Sequence, residues 1–350
     1  MLTIGLDTHL RTSTLCILDA RGRQINTRTI RGHWSKTVDH IRKLGERFRV
    51  VFEASCGYGP LHDALVALPG AVRVVVAHPG RLRLIFRSKR KNDRVDAQKL
   101  AKLLYLDEAP EAHVPGIDVR AWRELIEFRR RSVDQRTRIK NGLRSLLRRH
   151  GVEVPRERRN LWTRDNLAWL KSIALPTSLS TLRRDLLLDE LAHAESVLAK
   201  VTAELDAIAA RHAGVKLLQT IPGVGPRTAE AFVAYVDDPH RFARISRVGA
   251  YFGLVPSQDS SAGVNRLGHI TKQGPATARK LLVEAAWQVI RKDATMRAFF
   301  DRVTSGKPDR RKIALIAVAH KLCRCMLAML RSGETWRATL IEPNVKGATN

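Results

Sequence analysis

The pattern of apolar residues changes once along the 350-residue chain, near Asp118. Before that point, short apolar runs separated by turn residues predict β-strands, and after it apolar residues recur at helical spacing. The predicted strands cover residues 2–6, 12–18, 25–30, 50–52 and 72–76. A three-strand meander followed by strands that alternate with helices predicts a mixed α/β sheet with helices packed on it, followed by a mainly helical remainder.

Chain length and local composition predict how these elements are grouped. A chain of this length holds two or three domains at about 150 residues each. The sequence predicts an α/β catalytic domain (1–107), a basic helical and coiled-coil region (108–215), a mainly helical C-terminal domain (216–295) and a basic helical tail (296–350).

Apolar residues in the second of these regions follow a seven-residue repeat. The repeat consists of Leu187, Leu191, Ala194, Leu198, Val201, Leu205 and Ile208. Such a seam predicts a coiled coil with another chain or with a neighbouring helix. It is equally compatible with a helical hairpin inside one chain, and the spacing alone leaves both interpretations open.

Charge is the most unusual feature of the composition. The chain has 62 Lys and Arg residues against 34 Asp and Glu residues, which gives a net charge of +28. The sequence pI is near 11.0. A surplus of this size predicts a polyanionic partner, and nucleic acid is the usual one.

An anionic membrane is the competing partner for a basic chain. The longest apolar stretch, residues 313–330, contains His320, Lys321 and Arg324, and the N-terminal residues lack a basic region followed by an apolar run. The sequence therefore predicts no membrane span and no signal peptide.

The cysteines indicate the redox environment. Cys16, Cys56, Cys323 and Cys325 form no CxxC pair and have no histidine at zinc-finger spacing. They predict reduced thiols in a cytosolic protein, which excludes a disulfide scaffold and a zinc finger.

Four acidic residues form a candidate catalytic constellation in the α/β region. Asp7 ends the first predicted strand, Glu53 ends the fourth, and Asp93 and Asp96 share one face at the start of a predicted helix. Carboxylates that leave adjacent strand ends can bind Mg²⁺, and two such ions about 4 Å apart can promote phosphodiester displacement. Taken singly, Asp93 and Asp96 are also compatible with ordinary acids of a first helical turn, and Asp7 with a turn residue.

The constellation lies in a basic setting. Residues 81–102 contain nine Lys and Arg residues, and their only acids are Asp93 and Asp96. This pattern predicts that phosphates approach the metal site, although a solvated charged face has the same composition. A larger basic segment, residues 118–159, offers further candidates for contact with a nucleic-acid backbone.

A Gly-x-Gly sequence separates two helical patterns further along the chain. Gly223 and Gly225, followed by Arg227, predict a tight turn whose backbone N–H groups hold a phosphate. The alternative is a simple turn between helices. No strand precedes the turn and no third glycine follows at the right offset, which excludes a dinucleotide-binding fingerprint.

A loop-rich segment follows, from Gly253 to Gly274. Arg266, Lys272 and the nearby Arg279 predict positive charge for a phosphate under attack. On composition alone, the serines of this segment are ordinary loop residues, because a serine nucleophile needs activation.

Two motif sets resemble a known family. The order Asp7, Glu53, Asp93-x-x-Asp96 resembles the DEDD site of RuvC-like domains in the ribonuclease H superfamily. The distal strings, Ile-Pro-Gly-Val-Gly, Gly-Leu-Val-Pro, Ser-Ser and Ile-Thr-Lys-x-Gly, resemble the C-terminal domain of DEDD transposases of the IS110 insertion-sequence family. The resemblance runs in register over roughly residues 1–107 and 216–295.

The resemblance implies a site-specific recombinase of a bacterial mobile element. Its nucleic-acid partners would be element-end and target DNA and, in some members, a bridge RNA. The chain would assemble with further copies of itself into a tetramer. It would be cytoplasmic and associated with the nucleoid. The four acids would hold Mg²⁺, and Ser261 would form a transient phosphoserine link to DNA. The family often has glycine directly after this serine, where this chain has Ala262, so Ser260 remains the alternative nucleophile.

Two other functions are compatible with part of the sequence. A RuvC-like two-metal junction nuclease would use the acids without the serine. A non-enzymatic basic protein that binds nucleic acid would account for the charge alone. The absence of a GxxxxGK[ST] motif agrees with a reaction that needs no ATP.

Overall fold

In a computed structural model, the chain forms two compact units, Met1–Ile117 and Asp118–Asn350. The structure describes residues 1–55, 57–85, 92–261 and 264–337, and the side chains of 260, 261, 264 and 265 lie outside the described part. The boundary between the units coincides with the change of pattern near Asp118. The finer division at residues 107, 215 and 295 remains a prediction.

The first unit contains a five-stranded mixed sheet, as the sequence predicts. Its strands are β1 (Leu2–Thr8), β2 (Thr12–Leu18), β3 (Gln24–Arg31), β4 (Phe48–Glu53) and β5 (Ala71–Ala77). Their order across the sheet is β3-β2-β1-β4-β5. β1 pairs antiparallel with β2 and parallel with β4, so it lies at the centre of the sheet.

Helices cover both faces of this sheet. They are α1 (Ser35–Arg42), α2 (Tyr58–Val66), α3 (Pro79–Ile85) and α4 (Asp93–Tyr105). Ile4 and Leu6 of β1 belong to a buried cluster with Leu61 and Leu65 of α2. On the opposite face, Val51 packs with side chains of α4. Because side chains alternate along a strand, β1 contributes to both layers.

The second unit is mainly helical. Its helices are α5 (Ile117–Arg149), α6 (Arg164–Ser172), α7 (Ser178–Arg211), α8 (Ala213–Leu218), α9 (Pro226–Val236), α10 (Arg247–Tyr251), α11 (Ala276–Lys292), α12 (Ala294–Thr304) and α13 (Arg311–Ser332). A β-hairpin, β6 (Pro256–Ser261) and β7 (Val264–Ile270), lies between α10 and α11. The α/β-then-α fold class is confirmed.

The seven-residue repeat packs inside the chain. Leu191 and Ala194 of α7 form a buried cluster with Ile139 and Leu143 of α5. The Lys140 Nζ atom lies 3.0 Å from Glu195 Oε1 across the same contact. The repeat therefore forms an intramolecular helical hairpin, which is one of the two arrangements that the spacing allows.

One helical segment among the described residues, Pro308–Ser332, is long and apolar enough to cross a membrane by length and composition, with a mean hydropathy of 1.8. Leu322 and Met326 of this segment are fully buried in the main cluster of the second unit, together with Val289 and Met296. Its apolar composition is therefore that of a core helix.

Three cysteines lie in the described part of the chain. Cys16 and Cys323 are buried, Cys325 is half-buried, and all three are free thiols. Burial raises the pKa of Cys325 to about 11, so its thiol is protonated at neutral pH. Cys56 lies outside the described residues.

Candidate functional site

The carboxylate site is positioned by an unusually close contact between β1 and α4. A Cβ atom built on Gly5 would lie 2.1 Å from the Ala97 carbonyl oxygen and 2.3 Å from the Ala101 amide nitrogen. Only glycine leaves room for a helix backbone at this distance. Asp7 lies two residues after Gly5 on the same face of β1, so it lies on the face of the sheet that α4 covers.

The same contact brings Asp93 to Asp7. Asp93 lies one helical turn before Ala97, in the first turn of α4. The side-chain oxygen of Asn92 accepts a hydrogen bond from the Arg94 amide at 3.0 Å and begins the helix there. The structure thus brings together two acids that are 86 residues apart in the chain (93 minus 7).

A histidine joins the two acids. The His9 Nε2 atom lies 3.3 Å from Asp7 Oδ2 and 3.7 Å from Asp93 Oδ1. Asp7, His9 and Asp93 each offer one potential ligand atom, and these atoms lie within 4.8 Å of one another. His9 is not among the residues predicted from the sequence, although its position two residues after Asp7 could have indicated it.

Asp7 is electrostatically unfavourable as an isolated carboxylate. Burial raises the pKa of Asp7, and the nearby Asp93 and Asp96 raise it further, whereas His9 lowers it. The Asp7 Oδ2 atom is buried and accepts no well-formed hydrogen bond from the described residues, although His9 Nε2 lies 3.3 Å from it. A buried carboxylate oxygen of this kind fits a hard divalent cation, which would stabilise the ionised form.

Glu53 and Asp96 lie beside this cluster rather than in it. The pairing of Leu6 with Phe52 places the next residues, Asp7 and Glu53, at neighbouring positions on the same edge of the sheet. The Glu53 side chain is exposed. Asp96 Oδ1 lies 3.6 Å from Lys99 Nζ. Of the four predicted acids, the described structure clusters two, and the other two flank them.

The basic stretch beside the acids is described only in part. Residues 86–91, which include Arg87, Lys89, Arg90 and Lys91, lie outside the described residues. The approach of phosphates along this stretch therefore stays a prediction.

The Gly-x-Gly turn joins α8 to α9, so the predicted turn between helices is present. Gly223 has φ +102°, and a Cβ there would lie 2.7 Å from the Val289 amide of α11. A Cβ on Gly225 would meet open space. The first glycine therefore serves packing, and the second leaves the start of α9 accessible.

Arg227 is engaged in ion pairs. Its guanidinium pairs with Asp206, and Nη1 lies 3.1 Å from Glu230 Oε1. Burial raises the pKa of Glu230 to about 7, although Arg227 and Arg129 oppose the shift. This buried charge cluster could not be predicted from the sequence, because its members come from three separate helices.

The distal motifs interlock at the base of the β-hairpin. A Cβ on Gly253 would lie 2.4 Å from the Gln273 carbonyl oxygen, and one on Gly274 would lie 1.9 Å from the Tyr251 carbonyl oxygen. Arg279 Nη1 donates to the carbonyl oxygens of Phe252 at 3.2 Å and Gln273 at 2.7 Å. Two glycines and one arginine thereby hold residues 251–254 against residues 272–274.

The predicted basic residues of this segment differ in their surroundings. Burial lowers the pKa of Arg279. Its guanidinium group binds the two backbone carbonyl oxygens that hold the base of the hairpin together. Arg266 and Lys272 are exposed, and Lys272 has φ +54°. Arg266 and Lys272 are therefore accessible to a ligand, whereas the Arg279 guanidinium has a structural role.

Ser261 is the last residue of β6, and its backbone pairs with Val264 of β7. Ser260 pairs with Asn265 in the same hairpin. The side chains of both serines, and residues 262 and 263 between the strands, lie outside the described part of the chain. The choice between the two serines remains a prediction.

Two family models match this chain. A model of DEDD transposases of the IS110 type matches residues 4–151. A model of the transposase IS116/IS110/IS902 family matches residues 215–301. The carboxylate cluster lies within the first match, and the hairpin lies within the second.

Individual relatives are transposases as well. The chain is 29% identical over 345 residues to the transposase for insertion sequence element IS1111A of Coxiella burnetii, covering 95% of this chain and 91% of the relative. It is 28% identical over 251 residues to a probable family 20 transposase of Pseudomonas aeruginosa, covering 71% and 74%. It is 28% identical over 256 residues to a putative transposase of Sinorhizobium fredii, covering 71% and 64%.

The matches occur in chain order on both units, and they agree with the fold and with the cluster of acids. The DEDD family and the cluster of Asp7, His9 and Asp93 together indicate use of a divalent metal. The chain therefore belongs to the IS110 family of DEDD transposases, enzymes that cut and rejoin DNA.

Proposed function

We propose that this transposase cuts and rejoins DNA through a covalent phosphoserine intermediate at Ser261, with Mg²⁺ held by Asp7, Glu53, Asp93 and Asp96. The observation that carries the metal assignment is the buried Oδ2 of Asp7, which lies beside potential ligand atoms of Asp93 and His9. When bound, the metal supplies positive charge to the phosphate oxygens in the transition state. Asp7 would hold it from β1, and Asp93 would hold it from α4.

The serine chemistry conserves the energy of the DNA backbone. The Ser261 Oγ atom attacks the phosphorus, an Oγ–P bond forms, and the bond from phosphorus to one sugar oxygen breaks. The serine proton passes to solvent water, and the released sugar oxygen takes up a proton as a hydroxyl. Rejoining reverses these bonds, as a hydroxyl of the new strand attacks the phosphoserine and Ser261 regains its proton, so no ATP is needed.

The proposal assigns nucleic-acid contacts to the hairpin segment and to the Gly-x-Gly turn. Arg266 and Lys272 are exposed and would contact phosphates near the serine. Gly223 and Gly225 would present backbone N–H groups to a phosphate at the start of α9. The Arg227 and Arg279 guanidinium groups are already engaged within the chain, so their contribution would be to hold these elements in place.

RNA guidance and tetramer formation are part of the proposal through the family resemblance. The charge of +28 supports a large nucleic-acid surface. If a guide RNA is used, ribonuclease treatment of the purified complex should abolish cleavage of element-end DNA, and adding back the RNA should restore it.

A denaturing gel of labelled element-end DNA tests the proposal. Wild-type protein with Mg²⁺ and its co-purifying RNA should produce a slow, protease-sensitive DNA band. Ser261→Ala should produce none, and Ser260→Ala should keep it. Free cleaved ends in equal yield from wild type and Ser261→Ala would contradict the covalent mechanism and would instead identify a two-metal nuclease. If the double variant Asp7→Ala with Asp93→Ala kept the full biological function of the wild type, the protein would instead be a non-enzymatic nucleic-acid-binding protein.

A further inference from the structure

An arginine-lined pocket lies at the C-terminal end of α5, within the second unit. It is an open cavity of about 470 Å³, within the size range of pockets that bind small ligands. Its charged lining consists of Arg144, Arg148, Arg156, Arg158 and Arg159. The rest of the lining is apolar and includes Val154 and the buried Leu161.

The positive charge of this pocket is not neutralised by the described residues. None of the lining residues is acidic. Neutral partners hold two of the guanidinium groups instead, since Arg144 and Arg158 each lie near a tryptophan ring and donate a hydrogen bond to Asn141 Oδ1 and Asn166 Oδ1, respectively. Arg144 lies 5.2 Å from the ring centre of Trp162, and Arg158 lies 5.1 Å from that of Trp169. A cation–π contact holds a guanidinium group in position but leaves its charge available to an anion, whereas an ion pair would neutralise it.

The combination of charge and apolar lining restricts the ligand. Arginine donates paired hydrogen bonds to phosphate oxygens and also stacks on the flat faces of nucleobases. An apolar floor favours a ligand that brings an apolar surface of its own. A duplex presents mainly its phosphates at its outer surface, whereas a single strand can place a base in a pocket while its phosphates contact the rim.

We propose that this pocket binds one unstacked nucleotide of a single-stranded nucleic acid. The base would lie against Val154 and Leu161, and the flanking phosphates would contact Arg156 and Arg159. The proposal does not rest on the serine chemistry or on the metal. RNA and DNA single strands share the required chemistry, so the experiment includes both.

Binding of labelled single strands to the full-length protein tests the charge. Arg156→Ala with Arg159→Ala should weaken single-strand binding about tenfold, since it removes two phosphate contacts. The matched control is Arg138→Ala with Arg183→Ala, which removes the same charge from exposed positions on α5 and α7 outside this pocket. Equal losses in the two double variants would overturn the proposal in favour of diffuse electrostatic attraction.

A second variant tests the apolar floor without changing the charge. Val154→Trp fills the pocket from a position that is 39% exposed, so the fold should tolerate it, and thermal melting checks this. It should weaken single-strand binding about fivefold or more, in the range of one lost base–protein stacking contact, and leave duplex binding unchanged. Unchanged single-strand binding would overturn the placement of a base in the pocket.

Crosslinking identifies the strand and excludes an acidic protein partner. Single strands carrying 4-thiouridine or 4-thiothymidine should crosslink to residues 144–161, and the strand with the higher yield is the natural ligand class. A polyglutamate peptide should compete poorly at equal charge. Absence of crosslinks in 144–161 from both strands, or competition by polyglutamate as strong as by nucleic acid, would overturn the proposal.

Discussion

The β1–α4 contact and the base of the β6–β7 hairpin both rely on glycine for a close approach of two backbone segments. The first lies beside acidic side chains, and the second lies beside basic ones. Gly5 lets a helix backbone lie against the central strand of a five-stranded sheet, and the carboxylates of Asp7 and Asp93 meet beside it. Gly253 and Gly274 bring two loop segments together below a two-stranded hairpin that carries Ser261 and Arg266.

The two contacts differ in what surrounds them. Both faces of the sheet are covered by helices, and Asp7 lies half-buried near the end of its central strand. The hairpin has exposed residues from Pro256 to Asp259, and its interlock holds only its base. Because isolated two-stranded hairpins are marginally stable, we expect the geometry of the acids to depend less on bound DNA than that of the proposed serine nucleophile. The following variants test this difference.

The largest effect should come from Asp7→Asn, which removes one carboxylate charge and keeps the shape. Formation of the covalent DNA complex should fall by about a hundredfold to a thousandfold, as when a group that stabilises transition-state charge is removed. Gel quantification with element-end DNA measures it. Asp39, which is exposed and forms an ion pair with Arg42, offers a matched control. Asp39→Asn should leave the yield of the covalent DNA complex unchanged.

The same variant should be more stable than wild type. Burial raises the pKa of Asp7 above its ordinary value of 3.8, so the ionised form is unfavourable in the folded state. The wild-type protein therefore loses stability as the pH rises from 3.8 through the raised pKa, whereas the Asp7→Asn protein does not. A lower free energy of unfolding for Asp7→Asn at pH 7 would show that the Asp7 carboxylate stabilises the fold, contrary to this account.

Gly5→Ala should destabilise the first unit by about 2–4 kcal/mol, because the added methyl group overlaps the α4 backbone. Denaturant unfolding measures the loss. Gly116→Ala is the control, since a Cβ there meets open space and the change should stay within about 0.5 kcal/mol. Equal effects at the two glycines would contradict the close contact.

Glu230→Gln should make the stability of the second unit less dependent on pH. Burial raises the pKa of Glu230 to about 7, so ionisation destabilises the folded state as pH rises from 4.5 through that value. Above pH 8 the variant should exceed wild type by about 1–3 kcal/mol, and near pH 4 the difference should vanish. The exposed Glu284→Gln should show no such trend.

Arg279→Ala should lower stability by about 1–2 kcal/mol through the loss of its two carbonyl contacts. Arg266→Ala should leave stability unchanged within about 0.5 kcal/mol and weaken DNA binding instead. Chemical unfolding and DNA titration, run on both variants, separate the two roles. A loss of stability in Arg266→Ala and a loss of DNA binding alone in Arg279→Ala would mean that Arg266, not Arg279, holds the base of the hairpin together.

Elements with strong local signals could be predicted from the sequence. β2 spans Thr12–Leu18, as its apolar run indicates, and α4 begins at Asp93. α1 was missed, since Ser35–Arg42 carries only a short polar-rich pattern. The partner of the α7 repeat could not be predicted, because identical spacing suits a second chain and a neighbouring helix alike.

The candidate site was predictable in its acids and unpredictable in its contacts. Strand-end positions indicated Asp7 and Glu53, but no local pattern reveals that Gly5 faces Ala97 across the layers. His9 escaped notice because a lone histidine after a strand has many ordinary explanations. The ion pairs of Arg227 depend on Asp206, which comes from another helix, so a charged residue that suggested phosphate binding proved to be engaged inside the unit.

Mass-spectrometric mapping of the protein–DNA adduct tests the central claim most directly. After the reaction with element-end DNA, nuclease and protease digestion should leave a nucleotide remnant on the peptide that contains Ser261, attached to that serine. Asp7→Asn protein should yield almost none of it. A remnant on a different residue, or an equal yield from Asp7→Asn, would contradict the proposed phosphoserine mechanism and its dependence on the Asp7 carboxylate.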